Sequence, residues 1–421
     1  MARPGPTRQQ RLNKGPSQVA RRAPPGAFFW LHWAAWPVGV IGGAMAAALA
    51  AAGLPVKQIS EIVAVASLAF SLEIIWAPMV DSAFTRRGWC IAGSIAMCGC
   101  LAGLLMAPWQ SSSVPLLIVL AFCACSGAGV ALVATKGIMA YDVPTGQLGR
   151  ASGFYTAGGI VAKSVAGAGT LWLLAHVSSR PVVSGLSVGA AALAMSAVLL
   201  ASPGISLPAG NLLPALRGAL GDVWNFVRTR SGALVAVLCI IPFGTSTLLA
   251  NAIAREWSVT PDELSGSIPV GAALSVAGAM LAGRLSVRFG PWKTYIAWGW
   301  IMIVLLVALA LAPRSPSSFF TLLFLHRAGS GACYAALLGL VMTSIGKGAA
   351  ATKAAALWSM VNFSEGYPAF IDGRVHDHAG TTAMLLTHAG MDATGFAILL
   401  LAARLLGLRY RSLLAAAPAV A

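Results

Sequence analysis

Along this chain, apolar runs of membrane length alternate with short polar punctuation. Six runs are predicted at about 28–50, 58–80, 89–108, 114–138, 149–176 and 182–202. Six more follow at about 232–254, 264–288, 292–312, 318–345, 350–371 and 383–408. Each comes near the ~20 apolar residues that carry a helix across a bilayer. The longest polar interruption spans 202–230, where Pro203, Pro208 and Pro214 precede Asp222, Arg228 and Arg230. The pattern predicts an all-α integral membrane protein of about twelve transmembrane helices in two pseudo-repeated six-helix bundles. Its divisions are a basic tail over 1–26, a first bundle over 27–202 and a central loop over 203–230. A second bundle over 231–410 and a tail over 411–421 complete it.

The punctuation itself repeats. Ile75-Trp76-Ala77-Pro78-Met79-Val80-Asp81 ends an apolar run in an acid, and Arg86-Arg87-Gly88-Trp89 re-enters apolar sequence after a tight loop. About half the chain later comes Gly283-Arg284-Leu285-Ser286-Val287-Arg288-Phe289-Gly290-Pro291-Trp292-Lys293. One short basic loop between membrane-length helices in each half suggests a duplicated transporter.

Composition removes the soluble alternatives. The chain is 58% hydrophobic, only 10% charged and has a mean hydropathy of +0.79, against about 25% charged residues in soluble domains. The net charge of +16 invites a nucleic-acid reading, but the basic residues sit in alternate loops and not in one patch. Lys57, Arg180, Arg255, Arg314 and Arg374 fall on one side of the zigzag. Lys163 and Arg327 fall within spans, and all the rest of the 28 lysines and arginines fall on the other side. That asymmetry predicts both termini in the cytoplasm, with the tail bearing Arg3, Arg8, Arg11, Lys14, Arg21 and Arg22 uncleaved because it lacks a signal-peptide core. The seven cysteines lie inside or at the mouths of apolar runs, at spacings that suit neither a zinc knuckle nor a redox pair, so they read as small buried hydrophobes. Glycine clusters within spans, densest at Gly153, Gly158-Gly159 and Gly167/Gly169 of the fifth, as close helix packing or a moving interface requires.

The loop "EIIWAPMVDSAFTRRGW", Glu73 to Trp89, resembles the major facilitator superfamily, within it the branch of AmpG-type muropeptide permeases and acetyl-CoA transporters. The likeness continues at Pro144–Tyr155 and Ala351-Thr352-Lys353. It implies two six-helix bundles around a central cavity that opens alternately to each side. It also implies a gating loop made by Asp81, Arg86 and Arg87, with Arg288 in the second half. The branch's lysine before the tryptophan is Glu73 here. Where the branch often carries an aspartate, this chain has Lys136, so one charge pair is kept with its signs exchanged. Val287 replaces the acid usual before Arg288, which implies a weaker latch in that half.

Ionisable groups within spans cost several kcal/mol unless paired or facing water, so each is a candidate. Glu73 reads as a proton-coupling carboxylate or as an ion-pair partner of Lys136 or Lys163. Glu365, beside Gly366 and Pro368, reads as a second coupling carboxylate or as the partner of Arg327. Arg327 otherwise holds an anionic cargo group, as does Lys163, and His32 and Asn362 join them as substrate-binding candidates. The segment Asp372–His378, with His388 and Asp392, has metal-ligand residue types without a zinc spacing. It is expected as a solvated loop, although His388 and Asp392 share a face if the last helix begins early. No phosphate-cradling motif, nucleophile elbow or HExxH occurs.

The expected function is secondary active transport of a polar organic solute across a bacterial inner membrane by alternating access. Proton-coupled uptake is the expected mode, with muropeptide-, acyl-CoA- or siderophore-like cargo by resemblance. The alternatives are a proton–drug or metabolite antiporter and a non-transporting assembly or sensor protein. Expected partners are the solute, protons or another coupling ion, and the lipid bilayer. Neither cofactor, metal nor nucleic acid is expected, and the chain should work as a monomer without enzymatic activity.

Overall fold

The computed structural model describes residues 23–52, 54, 56–201, 212–241, 253–346 and 348–405. The expected tails up to residue 22 and over 411–421 lie outside the described residues. No strand occurs among the described residues. The helices are α1 (27–51), α2 (Val56–Ser71), α3 (Glu73–Ser82), α4 (Arg86–Met106), α5 (Val114–Asp142), α6 (Leu148–His176) and α7 (Arg180–Met195). After 202–211 come α8 (Leu212–Arg228), α9 (Arg230–Ile240), α10 (Pro261–Phe289), α11 (Pro291–Leu311), α12 (Pro316–Ser344) and α13 (Ala350–Leu405). Among the described residues, seven helices are long and apolar enough to cross a membrane, or up to nine if each of two bent pairs counts as one span.

Three differences from the expected pattern have local causes. The first helix is uneven, with a 3-10 turn at His32–Ala35 and a π turn at Val40–Met45. The second predicted span is two helices, α2 and α3, bent by 40° immediately before Glu73. The central interruption contains α8, which lies at 90° to α9. Its Ala219 and Phe226 are buried while Arg217, Trp224 and Arg228 are exposed, so one apolar face suffices to order a segment that reads as polar linker.

Termination signals at the loops are explicit. Thr85 caps α4 by accepting from Gly88 N–H at 2.9 Å, and Trp89 Nε1 donates to Ala83 O at 2.6 Å, closing the loop onto itself. Thr260 and Glu263 form a reciprocal capping box at the start of α10. Hydrogen bonds from Thr260 hold the exposed Glu263 carboxyl below its ordinary range. Gly290, at φ 89°, makes the left-handed turn between α10 and α11, with Pro291 opening the next helix.

The last helix reverses on one residue. Gly380 (φ 77°, ψ 178°) breaks α13 into arms over 350–379 and 381–405, and Asp372 touches His388 across the break. The arms therefore fold back as a helical hairpin. The expected solvated loop is corrected here: the region is helical on both sides of Gly380, and Asp372, His388 and Asp392 are buried. One positive-φ glycine suffices to reverse the chain, so Asp372, His388 and Asp392 stay helical and pack inward while Arg374 and His378 remain exposed.

The halves before and after 202–211 meet along α6 with α10, and α3 and α5 with the first arm of α13. Gly153 and Gly283 make the first seam possible. A Cβ on Gly153 would stand 2.8 Å from Ala279 O and 3.0 Å from Gly283 Cα.

Candidate functional site

A cavity of about 490 Å³ lies between the halves, walled by α1, α6, α10, α12 and the first arm of α13. Lys163 on α6 and Arg327 on α12 both line it, so each half contributes one cation to the same space. Neither side chain has a hydrogen-bond or ion-pair partner among the described residues. The Arg327 stem lies over Gly271, and Ser275 Oγ donates to Arg327 O at 2.8 Å, tying α12 to α10 at this level. No described lining residue is a carboxylate. Tyr155, Tyr334 and Trp358 give the remaining wall an aromatic character.

His32 faces the cavity from the 3-10 turn of α1. Its Nδ1 lies 2.7 Å from Tyr155 O and its ring stacks on Tyr155 at 3.7 Å between centroids. A carbonyl only accepts, so Nδ1 carries the proton and Nε2 is left as an acceptor. Gly159 allows the ring this close to α6, since any Cβ there would collide with the imidazole. Asn362 also lines the cavity and donates from Nδ2 to Phe70 O at 3.4 Å, across the seam between halves.

Glu73 is elsewhere. Its Oε2 accepts from Lys136 Nζ at 2.6 Å, with both side chains essentially sealed (relative exposure 2% and 1%). The pair joins α3 to α5, and Lys136 Nζ also stands 5.2 Å from the Trp358 ring centroid. Glu365 sits on α13, but its side chain lies outside the described residues, so its pairing with Arg327 does too.

At the end of the bundle that carries the 81–89 loop, the halves are latched. Asp81 Oδ2 accepts from Thr352 N–H at 2.7 Å and from Thr352 Oγ1 at 2.9 Å, while Oδ1 accepts from Arg86 at 3.4 Å. A carboxylate of one half thus caps the N-terminus of a helix of the other, where the helix dipole favours negative charge. Arg86 lies over the Tyr141 ring at 3.8 Å. Arg87 is half-buried, and Arg288 is exposed and lies over its neighbour Phe289. The cavity lies on the far side of this latch and of the Gly153–Gly283 seam.

One cluster expected in a solvated loop is instead brought together and buried. His388 Nδ1 lies 2.6 Å from Asp372 Oδ2, and Asp392 stands one helical turn beyond His388. The available signal was the four-residue spacing of His388 and Asp392; the missing information was the reversal at Gly380.

Comparison with known proteins decides the family. The model of the Major Facilitator Superfamily matches residues 27–366. The chain belongs to the Major Facilitator Superfamily. No curated protein matches the sequence. Among solved structures, the E. coli fucose:proton symporter FucP is similar at 17% identity and TM-score 0.69, over 91% of this chain and 98% of that one. The human organic anion transporter MFSD10 (TETRAN) is similar at 14% identity and TM-score 0.67, over 92% and 100%. The proton:xylose symporter XylE is similar at 12% identity and TM-score 0.67, over 88% and 92%. At these identities the likeness is one of fold. The chain is thus a multi-pass membrane protein of a transporter superfamily, with the major facilitator fold.

Proposed function

We propose that this major facilitator protein is a secondary active transporter of a polar organic anion, taken up with protons across a bacterial inner membrane by alternating access. The observation that carries the reading is the pair Lys163 and Arg327: two cations without partners among the described residues, one from each half, facing one cavity whose described lining holds no carboxylate. A cavity of about 490 Å³ is within the ordinary range for organic ligands. An anion bridging both cations pulls the halves together, which links cargo binding to closure of the open side. Arg327 suits a bidentate carboxylate or phosphate, and Lys163 acts as a point charge.

Proton coupling follows from charge. Importing one negative charge against a membrane potential negative inside costs about 2.3 kcal/mol per 100 mV, and a co-transported proton cancels that cost. The AmpG-like loop supports cargo such as muropeptides, acyl-CoA or siderophores, which carry carboxylates or phosphates. The name of the human organic anion transporter agrees in charge class, and two other neighbours are named as proton symporters.

The test is thermal-shift screening of the purified chain with carboxylates, phosphomonoesters and their neutral and cationic analogues. Anions should raise Tm, and Lys163→Ala and Arg327→Ala should each weaken the active anion about 10- to 100-fold, the worth of a hydrogen bond to a charged group. Uptake in vesicles should then follow an imposed pH gradient. Stabilisation by cationic drugs alone, unchanged in both variants, overturns the reading in favour of efflux.

A further inference from the structure

The hairpin of α13 holds an ionisable cluster that the cavity chemistry does not use. Asp372 on the first arm and His388 and Asp392 on the second are each about 1% exposed. His388 Nδ1 meets Asp372 Oδ2 at 2.6 Å. His388 Nε2, Asp372 Oδ1 and Asp392 Oδ1 are buried and have no hydrogen-bond partner. Two carboxylates against one imidazole leave at least one negative charge uncompensated, even when His388 is an imidazolium. In a low-dielectric interior an isolated ion is costly enough that the group neutralises instead. What the site lacks is therefore a small cation. No group of three metal-ligating residues with suitable geometry occurs among the described residues, and the smallest cation, the proton, fits without any cage.

The described groups that face the cluster from α11 and α12 carry no fixed positive charge. Tyr295 faces the cluster from α11, His326 and Cys333 from α12, and Cys239 of α9 stands near Tyr295. His326 lies within electrostatic reach of both His388 and Arg327, the cavity cation next to it in sequence. Thus the only fixed positive charge among these groups is Arg327 itself.

We propose that Asp372, His388 and Asp392 form a proton-exchange site inside the second half, whose charge governs how strongly Arg327 holds an anion in the cavity. Without the extra proton, the net negative cluster attracts Arg327 and competes with the cargo. With the proton bound, Arg327 is released to the anion, so proton and anion reinforce each other's binding, and the coupling is reciprocal. This second step rests on the proposed anion transport, whereas proton exchange at the cluster does not.

The experiment is infrared titration of the chain reconstituted in lipid, following the C=O stretch of protonated carboxyls from alkaline to acidic pH, with no cargo present. Wild type should show a titrating band that Asp392→Asn removes and His388→Gln displaces, while Glu73→Gln and Lys163→Ala leave it in place. The titration should be the same in sodium and in choline chloride. If Asp392→Asn does not yield monodisperse protein, Asp372→Asn serves in its place. Identical titration in wild type and the cluster variants overturns the proton site, and so does suppression of the band by sodium. With an active anion from the thermal-shift screen, its affinity should depend on pH in wild type and lose that dependence in Asp392→Asn. A surviving pH dependence there overturns the coupling to Arg327, while the infrared result stands separately.

Discussion

Glu73 and Lys136 show how a full pair of charges persists in an apolar chain. Each alone would be an ion in a medium that solvates it poorly, and the 2.6 Å contact satisfies both. Lys136→Met alone should therefore destabilise the protein by about 3–5 kcal/mol, the usual loss when one member of a buried pair is removed. The double variant Glu73→Gln/Lys136→Met should recover most of that loss. The exchange Glu73→Lys with Lys136→Glu should also fold, because it keeps one charge of each sign in the same contact. Chemical denaturation in detergent reads all of these, and equal stability of single and double variants would remove the pair from the account. The sequence offered this contact as one option, with Lys163 as another partner and proton coupling as another role, because an unpaired charge in a span demands a partner. The Asp372–His388 contact was not legible, since polar residues near a span boundary read as loop until the reversal at Gly380 places them inside.

At the scale of elements, the latch between Asp81 and the first turn of α13 acts with the Gly153–Gly283 seam between α6 and α10. The 83–85 loop was readable because its capping is local: Thr85, Gly88 and Trp89 fix one another within a few residues. What the loop grips was not readable, because Thr352 lies 271 positions away. Asp81→Ala removes a helix cap, a loss of about 0.5–2 kcal/mol, from the one arrangement in which the halves touch here. Gly153→Val goes further, because a side chain there meets Ala279 O and the Gly283 backbone. Spin labels at the exposed positions Gln147 and Val287 should report a new, longer distance population in both variants, larger in Gly153→Val. An unchanged distribution in both would show that neither contact holds this end shut.

The described residues form one latched end and, beyond it, a charged hollow, and the positions of the basic loops are the ground for the proposed orientation. The basic loops at 86–87, 150 and 284–293 share the latched end, and positive charge is retained on the cytoplasmic side. In the proposed orientation, with these basic loops in the cytoplasm, the cavity is shut toward the cytoplasm, the state in which an importer receives cargo from outside. This orientation gives a direct expectation for cysteine labelling in intact cells, with the native cysteines replaced. Ser112→Cys, exposed at the opposite end, should react with a membrane-impermeant maleimide at once. Gln147→Cys, exposed beside the latch, should react only after the membrane is permeabilised. The reverse pattern would place the latch outside and turn the same geometry into an exporter's resting state. Lys163 and Arg327 would then draw their anion from the cell interior, and the membrane potential would favour its exit without a proton.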